Sequence, residues 1–465
     1  MEIRIGMAIE TPVLPHAGSA RATARTVTPS SCGVMLFLVA LIALQLVIWF
    51  QAVHARGGLD IYARGSDFSP TLAAVEMLRA GNGTHLYGIA AQHDALVLVL
   101  TPYRVLPPAT LLPFLHPPFE ALVLAPLQGL SYGGLYLVWS ALSLTAFSST
   151  LVLLARALPL ALPTRLLLLL GCCSYNAIHY ALWLGQSSPF VTLGLCGTFV
   201  ALRRGRVGWA GIALALVTLK PQLLLVIGPT LLLLGYWRVV MVATATLATA
   251  SVAAMPFLGV FWPFSYARFL IAINKWDGYT LIFPEIMPNW RGVVVNLFWG
   301  SSGQLVTPIV AGLSYVTIAA LIWVGWRACL LLHTPIWNVR TDLFWAFAVL
   351  LAILVAPHLY LHDLTALVIP AWIVVATLPT GLWPVALTRL WPVLFWAISA
   401  VSLPVHLTGN RWPAGLIVFT ALLCLCAAAL LGWRCLCFPA YGAASDPGLG
   451  TAVLPARYRG HRWRA

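Results

Sequence analysis

Apolar residues gather along this chain in blocks, not in alternating stripes. Blocks fall at about 34–53, 132–155, 166–184, 187–202, 239–260, 305–330, 342–356, 364–379, 390–407 and 413–433, with two shorter ones at 208–219 and 222–234. Lengths near twenty residues suit the roughly 30 Å of bilayer hydrocarbon that a helix crosses at about 1.5 Å per residue. A membrane barrel would instead show alternating strands of about ten residues. The pattern therefore predicts an all-α, polytopic membrane protein of about twelve helices. The two short blocks cannot each cross alone, so they predict a hairpin or broken helix with its apex at Leu219-Lys220-Pro221-Gln222. Pro221 lacks a backbone donor and disfavours helix at Lys220, which places the break there.

One long stretch, 54–131, separates the first two spans. Within it, Ser69–Arg79 spaces Leu72, Val75, Met77 and Leu78 among small or polar residues. This spacing predicts an amphipathic helix lying on the membrane surface.

Composition rules out a water-soluble fold: 61% of residues are hydrophobic and the mean hydropathy is +0.92, whereas soluble domains are about half apolar. The net charge of +14 comes from short scattered clusters with no single basic patch, which argues against a nucleic-acid partner. The clusters read as topology signals, because cytoplasmic loops are rich in Lys and Arg. Placing Arg156/Arg165, Arg203/Arg204/Arg206, Arg238, Arg327/Arg340, Arg389 and Arg434 inside gives a self-consistent count with both termini cytoplasmic. The expected organisation is a tail over 1–33, a transmembrane unit over 34–437 that opens with a retained anchor, and a basic tail over 438–465. The nine cysteines show neither zinc spacing nor a disulfide framework.

The same count puts 54–131, Gly185-Gln186-Ser187, the Lys220 apex, 261–304, 357–363 and 408–412 on the outer face. Only 8% of residues are charged, and ionisable groups near hydrocarbon mark cavities or reaction sites. The densest such group is AlaProHisLeuTyrLeuHisAspLeu at 356–364, which carries His358, His362 and Asp363. Lys220 requires an anionic partner, either a lipid phosphate or a structural carboxylate. Asp67, shortly before Pro70, reads as a helix cap or as a general base, with Asp60 as a nearby competitor. His116, before the rigid Pro117-Pro118, reads as a helix-start residue or as a donor to a phosphate. Gln186 reads as a turn residue or as a partner for sugar hydroxyls. The segment from Phe261 to Arg291 mixes aromatic and charged residues, among them Asn289, Trp290 and Arg291. It fits an interfacial belt or a carbohydrate surface.

In order along the chain stand AspPhe with a following LeuTyr (67–87), HisProProPhe and LeuAlaPro (116–126), GlyGlnSerSer (185–188), ArgArgGlyArg to LeuLysProGln (203–222), MetProAsnTrpArgGly (287–292), and the 356–364 motif. This series resembles glycosyltransferase family 87, the polyprenol-phosphate-mannose-dependent mannosyltransferases of the C-type membrane fold. The resemblance covers about residues 60–375. It implies that Asp67 is the catalytic base and that a hexose, mannose by resemblance, leaves a polyprenyl phosphate with inversion of its anomeric centre. His362 keeps one histidine of the family's late pair, and Asp363 replaces the other.

The residue types suit such chemistry. A carboxylate takes the acceptor proton, while Lys220, His358 or His362, and Arg291 offset the charge of the departing phosphate. A monophosphate leaving group needs no chelating metal, and the chain has no Gly-rich nucleotide loop, so neither metal nor cofactor is expected. The expected partners are a polyprenyl-phosphate sugar, a glycolipid or glycan acceptor, and membrane lipids, in the inner (plasma) membrane of a bacterium. A lipid transporter or flippase is the rival reading. It would show repeated halves, and 54–131 has no counterpart later in the chain.

Overall fold

The computed structural model describes residues 29–101, 110–273, 279–280, 283–298, 303–332 and 339–377. The spans expected at 390–407 and 413–433, the loop 408–412, the tail 438–465 and residues 1–28 of the N-terminal tail lie outside the described residues, as do Lys275, Trp276 and Asp277.

The first apolar block is α1 (Pro29–Ala55), after which Gly57 and Gly58, both at positive φ, turn the chain into α2 (Leu59–Arg64). The outer stretch continues as α3 (Ser69–Arg79), α4 (Ile89–Leu100) and α5 (Phe119–Leu124). A series of apolar helices follows: α6 (Tyr132–Ala157), α7 (Leu162–Cys173), α8 (Asn176–Trp183), α9 (Ser188–Arg203), α10 (Val207–Leu216), α11 (Leu224–Leu233) and α12 (Trp237–Leu258). Beyond them lie α13 (Trp262–Ile273), α14 (Trp290–Leu297), α15 (Gly303–Leu332), α16 (Val339–Val355) and α17 (Val368–Thr377). One small element departs from an all-helical chain: β1 (Thr110–Leu111) pairs in parallel with β2 (Tyr279–Thr280).

Among the described residues, four helical stretches are long and apolar enough to cross a membrane: Cys32–Ala55, Tyr132–Ala157, Leu162–Trp183 and Trp237–Leu258. Shorter apolar helices, including Ser188–Arg203 and Thr341–Val355, fill the space between them.

The block expected at 166–184 is broken into α7 and α8 at Ser174-Tyr175. No Pro or Gly occupies the break. Gln45 of α1 donates its Nε2 to the Ser174 carbonyl at 2.9 Å, supplying a partner to a group the helix cannot satisfy. The break at Lys220 falls where the sequence places it. Single 3-10 turns, Val217–Leu219 and Pro221–Leu223, flank Lys220, whose φ of −132° and ψ of 76° are not helical.

Small residues set the tightest packing. A Cβ on Gly194 of α9 would lie 2.8 Å from the Ala213 carbonyl oxygen, and one on Gly211 would lie 2.8 Å from the Val239 carbonyl oxygen. Helix α10 is thereby held close between α9 and α12, in the manner of small-residue membrane interfaces.

The stretch Ser69–Arg79 is helical as expected, but its setting is not. Ser69 through Val75 and Met77 are buried, packed chiefly under α4 and α5. Its small residues, read from sequence as a weak polar face, let those helices close over it. The exposed apolar stripe occurs elsewhere, at Phe261, Phe264 and Ile271 around α13, which are 74%, 67% and 61% exposed.

Two cores result. One runs through α6 to α11 with α16 and α17, and α16 is buried from Thr341 to Val355. The other lies beneath the outer stretch and takes in the end of α12 and α13. Phe119 and Phe190 pack against both cores.

Candidate functional site

The motifs converge where the two cores meet. Gly185 adopts a φ of +67°, and a Cβ there would stand 2.7 Å from the Phe68 ring, so the turn that carries Gln186 lies directly against the residue after Asp67. Trp139 Nε1 donates to the Gly185 carbonyl at 3.0 Å and fixes this approach. Gln186 is 9% exposed and lies between that contact and Ser188.

Asp67 caps nothing. The residue at the head of α3 is Phe68, with no side-chain capping bond, and its amide donates to Ser66 Oγ at 3.2 Å. Asp67 is exposed to solvent, although neighbouring protein crowds its carboxylate. Burial pushes its carboxyl up to about 6, with the Lys220 ammonium pulling it the other way. Asp60 is otherwise occupied: Oδ1 accepts from Gly133 N at 2.9 Å, at the start of α6, and Oδ2 pairs with Arg64 Nε at 3.1 Å.

Lys220 is buried and forms an ion pair with Asp363, so its anionic partner in the fold is a carboxylate. Ser188 Oγ donates to Asp363 Oδ1 at 2.6 Å and Tyr360 N donates to Oδ2 at 2.9 Å. His362 Nε2 stands 3.6 Å from Oδ2. Burial alone would raise the Asp363 carboxyl. The Lys220 charge and the bonds from Lys220 and Ser188 outweigh it and hold the group below the usual carboxylate range.

Burial lowers His358 to about 4 and His362 to about 3, with Lys220 and His116 acting in the same direction and Asp363 opposing. Both are neutral imidazoles near pH 7. The fixed positive charges of the site are accordingly Lys220 and Arg291.

The loop carrying these histidines is tied down at several points. Gln222 Nε2 donates to the His358 carbonyl at 2.9 Å, Asn289 Nδ2 to Ala356 O at 2.7 Å and Arg291 Nη1 to Pro357 O at 3.4 Å. Asn289 is fully buried, and its Oδ1 accepts from Gly292 N at 2.9 Å to cap α14. It holds the loop in place. His116 is close enough to His358 and His362 for its charge to act on both, and it pairs with Glu120. Among the described residues, no group of three or more His, Cys, Asp and Glu side chains is arranged to hold a metal ion.

Sequence reasoning missed the roles of Ser188, Tyr360 and Glu120. The spacing of His116 and Glu120, four residues apart across a double proline, was the available signal for the last.

The sequence model of glycosyltransferase family 87 matches residues 114–357, just over half of the chain. The chain belongs to that family. The matched segment of this family 87 chain takes in His116, Gln186, Lys220, Asn289 and Arg291, and it ends one residue before His358. Asp67 precedes it, yet the fold brings Asp67 within the field of Lys220. No curated protein and no solved structure matches the chain. Family 87 membership together with the apolar helices identifies a membrane glycosyltransferase, with a sugar donor and an acceptor as its substrates.

Proposed function

We propose that this chain transfers a hexose, mannose in the family's pattern, from a polyprenyl phosphate to a lipid-linked or cell-surface acceptor at the outer face of a bacterial inner membrane. Asp67 takes the proton of the acceptor hydroxyl as that oxygen bonds to the anomeric carbon. The bond from that carbon to the phosphate oxygen breaks on the opposite side, so the configuration inverts. Lys220 and Arg291 offset the charge on the departing polyprenyl phosphate, while neutral His358 and His362 and the amide of Gln186 hydrogen-bond to phosphate or sugar oxygens. No diphosphate needs chelation, so the reaction requires no metal or cofactor.

The observation that carries this reading is the placement of Asp67, a solvent-reached carboxylate, within the field of Lys220 at the junction of the two cores. A carboxyl raised to about 6 is basic enough to accept a proton yet ionised near pH 7. In the same reading the chain has about twelve spans, the unit 34–437 and cytoplasmic tails 1–33 and 438–465. Helix α13 lies in the outer membrane surface with Phe261, Phe264 and Ile271 toward lipid.

The test is transfer from radiolabelled polyprenyl-phosphate mannose to a panel of membrane glycolipids, with full-length protein in nanodiscs, comparing wild type with Asp67→Asn. Product from wild type and a loss of about a thousandfold or more in folded Asp67→Asn are expected. Equal activity in the two moves the base away from Asp67. No transfer from any hexosyl donor overturns the reading.

A further inference from the structure

Glu120 is a carboxylate in the core of a membrane protein, 1% exposed, in the first turn of α5. A buried carboxylate without a charged partner is costly, and the ion pair that the described residues give it is with His116. Thr71 Oγ1 donates to the other carboxylate oxygen at 3.4 Å. Glu120 thus has a hydrogen bond from Thr71 on one oxygen and ion-pair contact with His116 on the other.

His116 is held as firmly on the backbone side. Tyr87 Oη donates to its carbonyl at 3.1 Å, and Tyr266 Oη donates to the neighbouring Leu115 carbonyl at 2.9 Å. Pro117 and Pro118 stiffen the link to α5. The imidazole engages Glu120 through Nδ1, which leaves Nε2 on the far edge of the ring. The ring is partly exposed at 23%. The groups facing this pair are Thr71 from α3, Tyr87, Tyr266 from α13, and His358 and His362 from the loop after α16. None of these is a fixed cation, and the side chain in ion-pair contact with Glu120 is His116.

We propose that Glu120 is a positioning residue for the transfer reaction: it orients the His116 ring so that the Nε2 edge meets the phosphate of the lipid-linked substrate. The inference rests on the function proposed above. Glu120 does not touch substrate and acts only through the histidine, as carboxylates do that orient catalytic and metal-bound histidines.

The experiment measures binding of polyprenyl phosphate and sugar transfer in parallel, with full-length protein in nanodiscs, for wild type, His116→Gln, Glu120→Gln and the double variant. Each single change is expected to weaken polyprenyl-phosphate binding by roughly ten- to a hundredfold, the value of one charge-assisted hydrogen bond. The double variant should bind no more weakly than His116→Gln alone. Glu120→Gln that binds like wild type overturns the assignment, as do losses that multiply in the double variant. Should Glu120→Gln fail to fold, the Gln/Gln pair, which can bond to itself, is compared with His116→Gln and decides the same point. Wild type that transfers sugar while Glu120→Gln binds normally leaves the proposed function standing and removes only this inference. Wild type that neither binds nor transfers removes both.

Discussion

Arg203–Asp342 and Lys220–Asp363 pair the same charges before and after α16, in contrasting surroundings. Asp342 lies in the first turn of α16 and Arg203 in the last turn of α9, so each charge also opposes its own helix dipole. Arg203 Nε is 3.3 Å from the carboxylate, and Nη1 donates to the Ala157 carbonyl at 2.6 Å. The groups sit on three regular helices. Lys220, by contrast, stands on a helix break and Asp363 on a 3-10 turn, and the pair borders the candidate site that holds Asp67, His358 and Arg291. The first pair joins helices. In the proposed function the second keeps a cation beside the reaction site, where a substrate phosphate competes for it.

The contrast breaks if the two lysine and arginine variants behave alike. Arg203→Met removes the ion-pair partner of buried Asp342 and should destabilise the protein by about 3–5 kcal/mol, read as a fall in thermal midpoint in detergent. The fraction that stays folded should transfer sugar at the wild-type rate. A normal midpoint with lost transfer would show that the Arg203–Asp342 pair is tied to the reaction.

Lys220→Met should reverse that balance. Asp363 keeps its bonds from Ser188 and the Tyr360 amide, so the midpoint falls less than for Arg203→Met. Transfer by the folded protein should drop roughly a hundred- to a thousandfold, in line with removal of one preorganised charge from a transition state. Single-turnover rates and melting curves on the same samples separate the two effects. A larger loss of stability than of rate would make Lys220 a structural residue.

How much of this was legible in the sequence differs between spans and pairs. The edges of α1, α6 and α12 follow from their apolar blocks because lipid imposes a length and a composition on each block separately. The Lys220 break was legible because Pro221 enforces it locally. The α7–α8 break was not, since the residue that makes it tolerable is Gln45, 129 positions away. The α3 segment was read as a helix correctly and as a surface helix incorrectly, because its pattern records that one face is small without recording what packs there. In the site, each motif could be read alone, but the partner of Lys220 lies 143 residues away and is a fact of tertiary packing. The histidines were legible as candidates and not as neutral groups, because neutrality depends on the protein around them.

The mildest way to sharpen the comparison is pH, to which the candidate site should respond through Asp67. Burial raises this carboxyl from the usual 3.8 to about 6, so it holds a proton below that value and releases it above. A base must be ionised, hence transfer should rise with pH through about 6 and be roughly tenfold lower at pH 5 than on its plateau. His358 and His362, lowered to about 4 and 3, add no limb between pH 5 and 8. Stability runs the other way. A raised folded value means that the protonated form suits the fold, so this group's contribution is fully present below 3.8 and is lost as pH rises through about 6. Water that reaches Asp67 reduces the size of that loss without changing its sign. Asp67→Asn should therefore melt no lower than wild type at pH 7 while losing transfer, a separation of stability from activity that a structural carboxylate would not show. A flat rate profile between pH 5 and 7, or a variant that melts markedly lower, would place Asp67 with Arg203 and Asp342 among the groups that hold the fold together.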